Sequence, residues 1–258
     1  RELICKRYPA AAAGGARAFE VLRWLSAALP ATSSQVLRVP KALGFDAAQG
    51  ALWLEFLPGQ ALRPGDPLPE LRAGCRLAGC ALAELHALTP PAESARSLLD
   101  HLRELVRPEP RALAEALPAQ AEQIQRALDA LARWDRLLRG APSAPLHRDF
   151  QLRQLLRAGP ELCVLDWDDF AVGDPAFDVA YFEVYLRNHL DPERSAALRD
   201  EFRGGYAEAG GADPEPRLAP YVAFNYLRRA CRRLRLRDAD WQAELQRMLR
   251  QLAAALPE

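Results

Sequence analysis

Three polar side chains in the middle of the chain, Asp149, Gln154 and Asp166, are spaced so that they can meet at one point. Two short apolar runs, 155–157 and 161–165, are separated by the turn sequence Ala-Gly-Pro, which predicts a β-hairpin. Gln154 precedes the first strand directly and Asp166 follows the second directly. Antiparallel pairing would therefore bring these two side chains to the same end of the hairpin.

The chemistry that this set suggests is the binding of a hard cation beside a carboxylate. Carboxylate and side-chain carbonyl oxygens are the ligands that Mg²⁺ prefers. Asp149 lies on the loop that enters the hairpin and can reach the same space, where its carboxylate can accept a proton. Each residue alone has a plainer interpretation, because Asp-x4-Gln spacings are common by chance and Asp166 can be an ordinary turn residue.

A helix is predicted to begin shortly after the hairpin. Asp174 would be its N-cap and Pro175 its first residue, which is a common helix opening. Asp178 then falls in the first turn, where the helix dipole favours an acidic side chain. In order and spacing, residues 146–178 match the protein-kinase pattern His-Arg-Asp-x4-Asn followed by an Asp-x-x triplet.

These motifs resemble those of the aminoglycoside phosphotransferase and choline kinase group of small-molecule kinases. That group typically shows His-Gly-Asp-x-His-x-x-Asn, then Ile-Asp-Trp/Phe-Glu/Asp, then Gly-Asp-Pro-x-x-Asp-Leu-Ala. Here residues 147–154 read His-Arg-Asp-Phe-Gln-Leu-Arg-Gln, residues 165–168 read Leu-Asp-Trp-Asp, and residues 173–180 read Gly-Asp-Pro-Ala-Phe-Asp-Val-Ala. The resemblance extends weakly over nearly the whole chain.

The resemblance implies an α+β, bilobal, protein kinase-like fold. Strand-like patterns give way to helical ones at Pro58-Gly59, so residues 1–57 are expected to be the N-terminal nucleotide-binding lobe. Residues 58–258 are expected to form a large, mostly helical C-terminal lobe containing the catalytic loop 146–178. The chain begins at Arg1 without a glycine-rich hairpin, so we expect the N-terminal β-lobe to be truncated.

The resemblance also implies catalytic roles for the residues of the central motifs. Asp149 would orient or deprotonate an acceptor hydroxyl. Asp166 would bind Mg²⁺ that bridges the phosphates of ATP, and Gln154 would replace the usual Asn as a ligand, one methylene further out. Asp168 would either serve a second metal ion or face solvent.

Further residues are expected to support the site. His147, Arg148 and Asp178 would hold the catalytic loop, with His147 a structural brace rather than a base.

The nucleotide would be held by Lys6, through its α- and β-phosphates, with Glu20 as the ion-pair partner of that lysine. Adenine would form hydrogen bonds with backbone groups of Glu55 and Leu57 in the predicted hinge, residues 54–59. On sequence alone, Lys6 and Glu20 are also compatible with ordinary surface charges.

Arginines that share one face of a predicted helix, Arg228, Arg232 and Arg235, are candidates for recognising the substrate. Guanidinium groups bind carboxylate or phosphate, but the same pattern is typical of a solvated helix face. A polycationic aminoglycoside would bind best beside acidic side chains. These arginines therefore argue mildly against an aminoglycoside antibiotic as the substrate. Sugars, amino sugars, hydroxylated amines and amino acids remain as acceptors.

Two other functions compete with small-molecule phosphorylation. A pseudokinase, which binds nucleotide without turnover, is suggested by Gln154 and by the missing hairpin. An atypical protein kinase is suggested by the motif His-Arg-Asp, which is the form found in protein kinases. However, only six residues separate Asp166 from Gly173, which leaves no room for a long activation loop.

The amino-acid composition restricts which binding partners and which cellular compartment we expect. The 258 residues contain 34 Lys+Arg and 34 Asp+Glu, so the net charge gives no reason to expect nucleic acid or an anionic membrane. No apolar run approaches the roughly 18–20 residues that span a bilayer. The five scattered cysteines are typical of reduced thiols in a cytoplasmic protein. We expect a monomer or homodimer acting on a small molecule.

Overall fold

A computed structural model describes residues 2–9, 14–29 and 35–257 of the chain. The described residues contain short β-strands and longer α-helices, so the fold is α+β. The strands are β1 (Leu3–Arg7), β2 (Leu37–Arg38), β3 (Ala42–Asp46), β4 (Ala51–Glu55), β5 (Gln60–Ala61), β6 (Ala144–Leu146), β7 (Leu155–Ala158), β8 (Glu161–Val164) and β9 (Ala171–Gly173).

The helices account for most of the remaining described chain. Short 3₁₀ turns also occur, one of them at Leu152–Gln154 just before β7. The α-helices are α1 (Gly14–Ala28), α2 (Leu68–His86), α3 (Leu98–Arg103), α4 (Pro110–Ala116), α5 (Ala121–Leu137), α6 (Ala176–His189), α7 (Pro192–Glu208), α8 (Glu215–Leu236) and α9 (Trp241–Ala254).

The strands form small sheets with mostly antiparallel pairing. One sheet has the order β1-β4-β3, a second has the order β2-β8-β7-β5, and β6 pairs with β9. The turn at residues 46–50 folds β3 back on β4, and the Asp46 carboxylate accepts the N–H groups of Ala48 and Gln49 at 2.9 and 3.1 Å. Strands β5, β6 and β9 were not expected from the sequence, because each has only two or three residues.

The predicted hairpin at 155–165 is present as β7 and β8. Leu155 pairs with Val164, and Ala158 pairs with Glu161. Gly159 occupies the turn with φ of 64°, a backbone conformation that glycine adopts without strain. The backbone N–H of Leu165 donates to the carbonyl of Gln154 at 2.9 Å, which closes the open end of the hairpin.

Contacts divide the chain into two compact units. This division does not follow the expected lobes 1–57 and 58–258, and that boundary stays a prediction. The first unit comprises Arg1–Glu93, Ala144–Val172 and Tyr185–Asp213, and the second comprises Ser94–Ser143, Gly173–Val184 and Pro214–Glu258.

Within the first unit, helices α2 and α7 cross at direct backbone contact. A Cβ atom added to Gly79 would lie 2.0 Å from the carbonyl oxygen of Phe202, and one added to Gly205 would lie 2.0 Å from that of Arg76. The absence of side chains at these two glycines is therefore what permits the close approach.

Within the second unit, the core is built from aromatic rings of α3, α6 and α8. Phe177 lies at the centre, with its ring 4.3 Å from His101, 5.9 Å from Tyr221 and 5.8 Å from Phe224, measured between centroids. Among the described residues, no helix combines the length and apolar character needed to cross a membrane.

Candidate active site

A pocket of about 490 Å³ opens within the first unit, beside the sheet that contains β1 and β4. Its walls are largely apolar and come from β1, α1, β4 and β7. Charged and amide side chains from Lys6, Gln154, Asp166 and Asp168 also line it. An apolar cavity with a few convergent polar groups is the usual form of a small-molecule site.

Lys6 lines the pocket from the fourth of the five residues of β1. Its Nζ lies 2.5 Å from Oδ1 of Asp166 and 2.7 Å from Oδ1 of Asp168. Burial by itself would lower the pKa of Lys6, but the hydrogen bonds and charges of the two carboxylates outweigh burial and raise it. Lys6 is therefore a fixed positive charge at every working pH.

Glu20 is not the partner of Lys6, contrary to the expectation from sequence. Its side chain is 68% exposed and lies 3.8 Å from Arg23, one turn further along α1. The physical reason is the phase of the helix: α1 buries Ala18 and Leu22, which both line the pocket, and this turns Glu20 outward.

Asp149 and Asp166 are joined by the side chain of Gln154. The Gln154 Nε2 lies 3.2 Å from Oδ2 of Asp149 and 3.2 Å from Oδ2 of Asp166. Gln151 donates from Nε2 to the other oxygen of Asp149 at 2.7 Å. The three residues that the sequence placed together are thus together, on the loop and at the two strand ends that were expected.

The orientation of Gln154 differs from the expected role of an oxygen ligand. Here its amide nitrogen faces both carboxylates and acts as a donor. A metal beside Asp166 would require the amide to turn about its terminal torsion so that Oε1 faces inward. That torsion is soft, and the assignment of O and N in an amide follows from its hydrogen-bond partners.

The side chains available here suit Mg²⁺ better than a metal ion whose ligands all come from the protein. The described residues contain no group of three or more His, Cys, Asp or Glu side chains suited to a metal. Mg²⁺ is commonly held by only one or two carboxylates together with substrate phosphates and water. Asp166 and Asp168, with side chains 38% and 36% exposed, can serve in that way.

His147 braces the catalytic loop with both ring nitrogens. Nδ1 accepts the backbone N–H of Asp149 at 3.2 Å, so the proton is on Nε2, which donates to the carbonyl of Leu165 at 2.8 Å. The ring is completely buried and packs edge-on against Trp167 at 4.7 Å. These contacts support a bracing role and leave no ring nitrogen for proton transfer.

Two residues of the loop have left-handed backbone conformations. Arg148 and Asp166 both have φ of 65°, which is uncommon for residues other than glycine. Such conformations cost on the order of 1–3 kcal/mol and cluster at functional sites. They set the direction of the chain directly before Asp149 and just after β8.

At the expected hinge, Glu55 and Leu57 both line the pocket. The backbone N–H of Glu55 is used within the sheet region, since it donates to the carbonyl of Lys41 at 3.0 Å. Leu57 is buried, and its N–H makes no hydrogen bond to any other described residue. That N–H is not used within the described structure, and its expected bond to adenine stays a prediction.

Residues of the Gly-Asp-Pro motif lie in the second unit and organise the start of α6. Asp174 accepts the N–H of Ala176 at 2.9 Å and the Nε–H of Arg217 at 3.0 Å. Asp178 is fully buried in the first turn. Its expected role in holding the catalytic loop stays a prediction.

The candidate substrate arginines of α8 do not act as one group. The Arg228 guanidinium lies over the ring of Tyr181, 5.3 Å from its centroid, whereas Arg235 donates to the carbonyl of Arg107 at 3.4 Å. Arg232 is exposed. Their role in substrate recognition stays a prediction.

Two site residues were not found from the sequence, Tyr8 and Gln151. Tyr8 donates from its hydroxyl to Asp168 at 2.7 Å and lines the pocket. Its position two residues after Lys6 was a usable signal, because alternate residues of an extended chain share a face. Gln151 follows Asp149 by two residues, but nothing in its local pattern indicates that it bonds that carboxylate.

Comparison with solved structures shows which fold this is. A choline/ethanolamine kinase family protein from Mesorhizobium loti superposes with a TM-score of 0.65 at 17% identity, covering 98% of this chain and 82% of the other. Choline kinase LicA from Streptococcus pneumoniae gives 0.65 at 14% identity, covering 98% and 86%. ADP-bound aminoglycoside phosphotransferase APH(2'')-Ib gives 0.63 at 15% identity, covering 98% and 87%. The predicted α+β, protein kinase-like fold is confirmed.

Sequence comparison gives the family. No curated protein matches the chain. The model of the phosphotransferase enzyme family, APH, matches residues 1–221, most of the 258-residue sequence and all of the central motifs. This chain is therefore a member of the APH phosphotransferase enzyme family.

Proposed function

We propose that the protein uses ATP and Mg²⁺ to phosphorylate a hydroxyl group of a small metabolite. The observation that carries this proposal is the convergence of Lys6 and Asp166 in an apolar pocket of about 490 Å³. Ligand pockets of this kind usually measure roughly 300–1,000 Å³. An adenine ring can pack against the apolar walls, and a phosphate chain can pair with the Lys6 ammonium group.

The nucleotide would lie with its base near β4 and its phosphates near Lys6. The unbonded N–H of Leu57 can donate to a ring nitrogen of adenine. Lys6, whose positive charge does not titrate in the working range, can hold the phosphates. The aminoglycoside phosphotransferase APH(2'')-Ib, which has the same fold, is ADP-bound, and this supports a nucleotide ligand for the present chain.

Asp149 would hold the acceptor hydroxyl in line with the phosphate and accept its proton as the transfer proceeds. Gln151 and Gln154 fix one carboxylate oxygen each, so Asp149 is oriented before the acceptor arrives. Catalysis would rest on this positioning and on charge neutralisation. Bound Mg²⁺, held by Asp166 with Gln154 or Asp168, would neutralise charge on the phosphates.

A second candidate function, nucleotide binding without turnover, is favoured by one observation. Gln154 replaces the Asn of the family motif, which moves its ligand oxygen one methylene further out, and Mg²⁺ is strict about its octahedral geometry. Both candidate functions require nucleotide binding, but only the first includes phosphoryl transfer. Binding and transfer must therefore be tested by separate measurements.

Binding can be tested through Cys5, which is exposed and lines the pocket. We expect a maleimide to modify Cys5 in the native protein. Saturating MgATP should slow this modification at least about tenfold, because a bound nucleotide lowers the rate by the ratio of the MgATP concentration to its Kd. The rate would be measured by intact mass spectrometry at pH 8. An unchanged rate at millimolar MgATP would contradict a nucleotide in this pocket.

The other thiols provide the control. Burial raises the pKa values of Cys75 and Cys231 to about 12, so both stay protonated and unreactive at pH 8. Burial also raises the pKa values of Cys80 and Cys163. The variant Cys5→Ser should therefore lose the fast, ATP-sensitive modification.

A further inference from the structure

The positioning of Lys6 is unusual because the carboxylates that touch it come from the segment after β8. Helix α1 turns Ala18 and Leu22 toward the pocket, and neither can pair with an ammonium group. Its acidic residue, Glu20, is on the exposed side. Another part of the described structure must therefore fix the lysine.

Tyr8 is linked to Lys6 through a shared oxygen atom. Its hydroxyl donates to Oδ1 of Asp168 at 2.7 Å, and the same Oδ1 lies 2.7 Å from Nζ of Lys6. The ammonium group also lies 5.3 Å from the centroid of the Tyr8 ring. Cation, carboxylate and phenol thus form one compact cluster at the edge of the pocket.

Tyr8 is itself held both at its backbone and at its ring. Its backbone N–H donates to the carbonyl of Gly50 at 2.8 Å, which ties it to the turn after β3. A Cβ atom on Gly15 would lie 2.8 Å from Cδ2 of the ring, so α1 packs against the ring at a residue without a side chain. A ring fixed in this way can orient the carboxylate that it contacts.

Of the two carboxylates at Lys6, only Asp168 has such a support. Asp166 is bonded on its other oxygen to Gln154 and is the residue best placed for the metal ion.

We propose that Tyr8 and Asp168 form the pair that positions Lys6 for the nucleotide phosphates, in place of a carboxylate on helix α1. Tyr8 is in this sense a positioning residue, which acts on the phosphates only through Asp168 and Lys6. The proposal rests on the proposed function, because it presumes that Lys6 contacts a nucleotide.

The test compares a ligand that has phosphates with one that lacks them. Affinities of MgATP and of adenosine would be measured by titration calorimetry on the full chain. Tyr8→Phe keeps the ring and removes the hydroxyl; we expect it to weaken MgATP roughly tenfold, the scale of one hydrogen bond to a charged group, and to leave adenosine unchanged. Asp168→Asn should weaken MgATP at least as much, and the double variant should show less than the sum of both effects.

Two further variants separate the rival explanations. Tyr206→Phe removes a phenol that contacts His86 instead, and it should leave both affinities unchanged. Glu20→Gln should also bind MgATP normally. A loss with Glu20→Gln equal to that with Tyr8→Phe would overturn the proposal, because it would return the pairing role to α1.

The remaining outcomes are equally distinct. If the unmodified protein binds no MgATP, both the proposed function and this inference fail. If it binds MgATP and Tyr8→Phe does too with unchanged affinity, only the inference fails. If Tyr8→Phe weakens adenosine as much as MgATP, the residue shapes the pocket in general and does not position Lys6.

Discussion

Replacing Asp149 with asparagine is expected to lower kcat of phosphoryl transfer by about 10³-fold, within the 10²–10⁴ range typical of a positioned general base. The amide can still accept a hydrogen bond but cannot take the proton of the acceptor hydroxyl. It also meets the amide nitrogens of Gln151 and Gln154, which are placed to donate to a carboxylate. The change would be measured as steady-state ADP formation with a saturating acceptor.

Binding of MgATP should be nearly unaffected in the same variant, because Asp149 is not among the residues that line the pocket. Asp129→Asn, the same substitution at an exposed position of α5, should leave kcat unchanged. If Asp149→Asn turned over at more than a tenth of the normal rate, Asp149 would not be the acceptor-orienting residue.

The second large effect concerns folding. Gly205→Ala places a methyl group 2.0 Å from the carbonyl oxygen of Arg76, a backbone atom that cannot move unless α2 and α7 separate. We expect a loss of about 3 kcal/mol in the free energy of unfolding, at the upper end of ordinary overpacking effects. For a chain of this size that corresponds to a Tm lower by roughly 6–12 °C.

The neighbouring glycine supplies a matched control. A Cβ on Gly204 would lie 3.4 Å from the flexible tip of Arg76, so Gly204→Ala can be accommodated. Because alanine favours a helix over glycine by about 1 kcal/mol, this variant should melt at the same temperature or slightly higher. Equal melting of the two variants would show that the α2–α7 contact is looser than the geometry indicates.

Local signals in the sequence were sufficient for the central site. The turn Ala-Gly-Pro and its flanking apolar runs predict the β7–β8 hairpin, and the hairpin alone brings Gln154 and Asp166 together. The hydrogen bonds of Gln154 to Asp149 and Asp166 agree with that expectation. These features depend on residues close in sequence, which is why pattern and spacing capture them.

The partner of Lys6 could not be predicted, because it depends on the rotation of α1. Glu20 was assigned as the partner from the family resemblance, and nothing in the local sequence fixes which face of α1 turns toward Lys6. The structure buries Gly15 and Ala18 on that side and leaves Phe19 half-buried against Phe45. Small residues carry little hydrophobic signal, so the face that they form is easily missed.

The glycines at the α2–α7 crossing were also beyond local inference. Gly79 and Gly205 are far apart in the chain, and a glycine inside a helical pattern by itself only lowers helix propensity. Their role becomes visible only when two backbones approach one another. The same holds for Tyr8, whose significance comes from Asp168, 160 residues away.

Transfer of the γ-phosphoryl group from labelled ATP is the most direct test of the proposed function. The full chain would be incubated with Mg²⁺ and a panel of sugars, amino sugars, hydroxylated amines and amino acids, and labelled products would be separated from ATP and phosphate. We predict that at least one hydroxyl acceptor becomes labelled, and that Asp149→Asn lowers the rate of labelling by about 10³-fold. Protection of Cys5 by MgATP without labelling of any acceptor would contradict the transferase and support a nucleotide-binding protein without turnover.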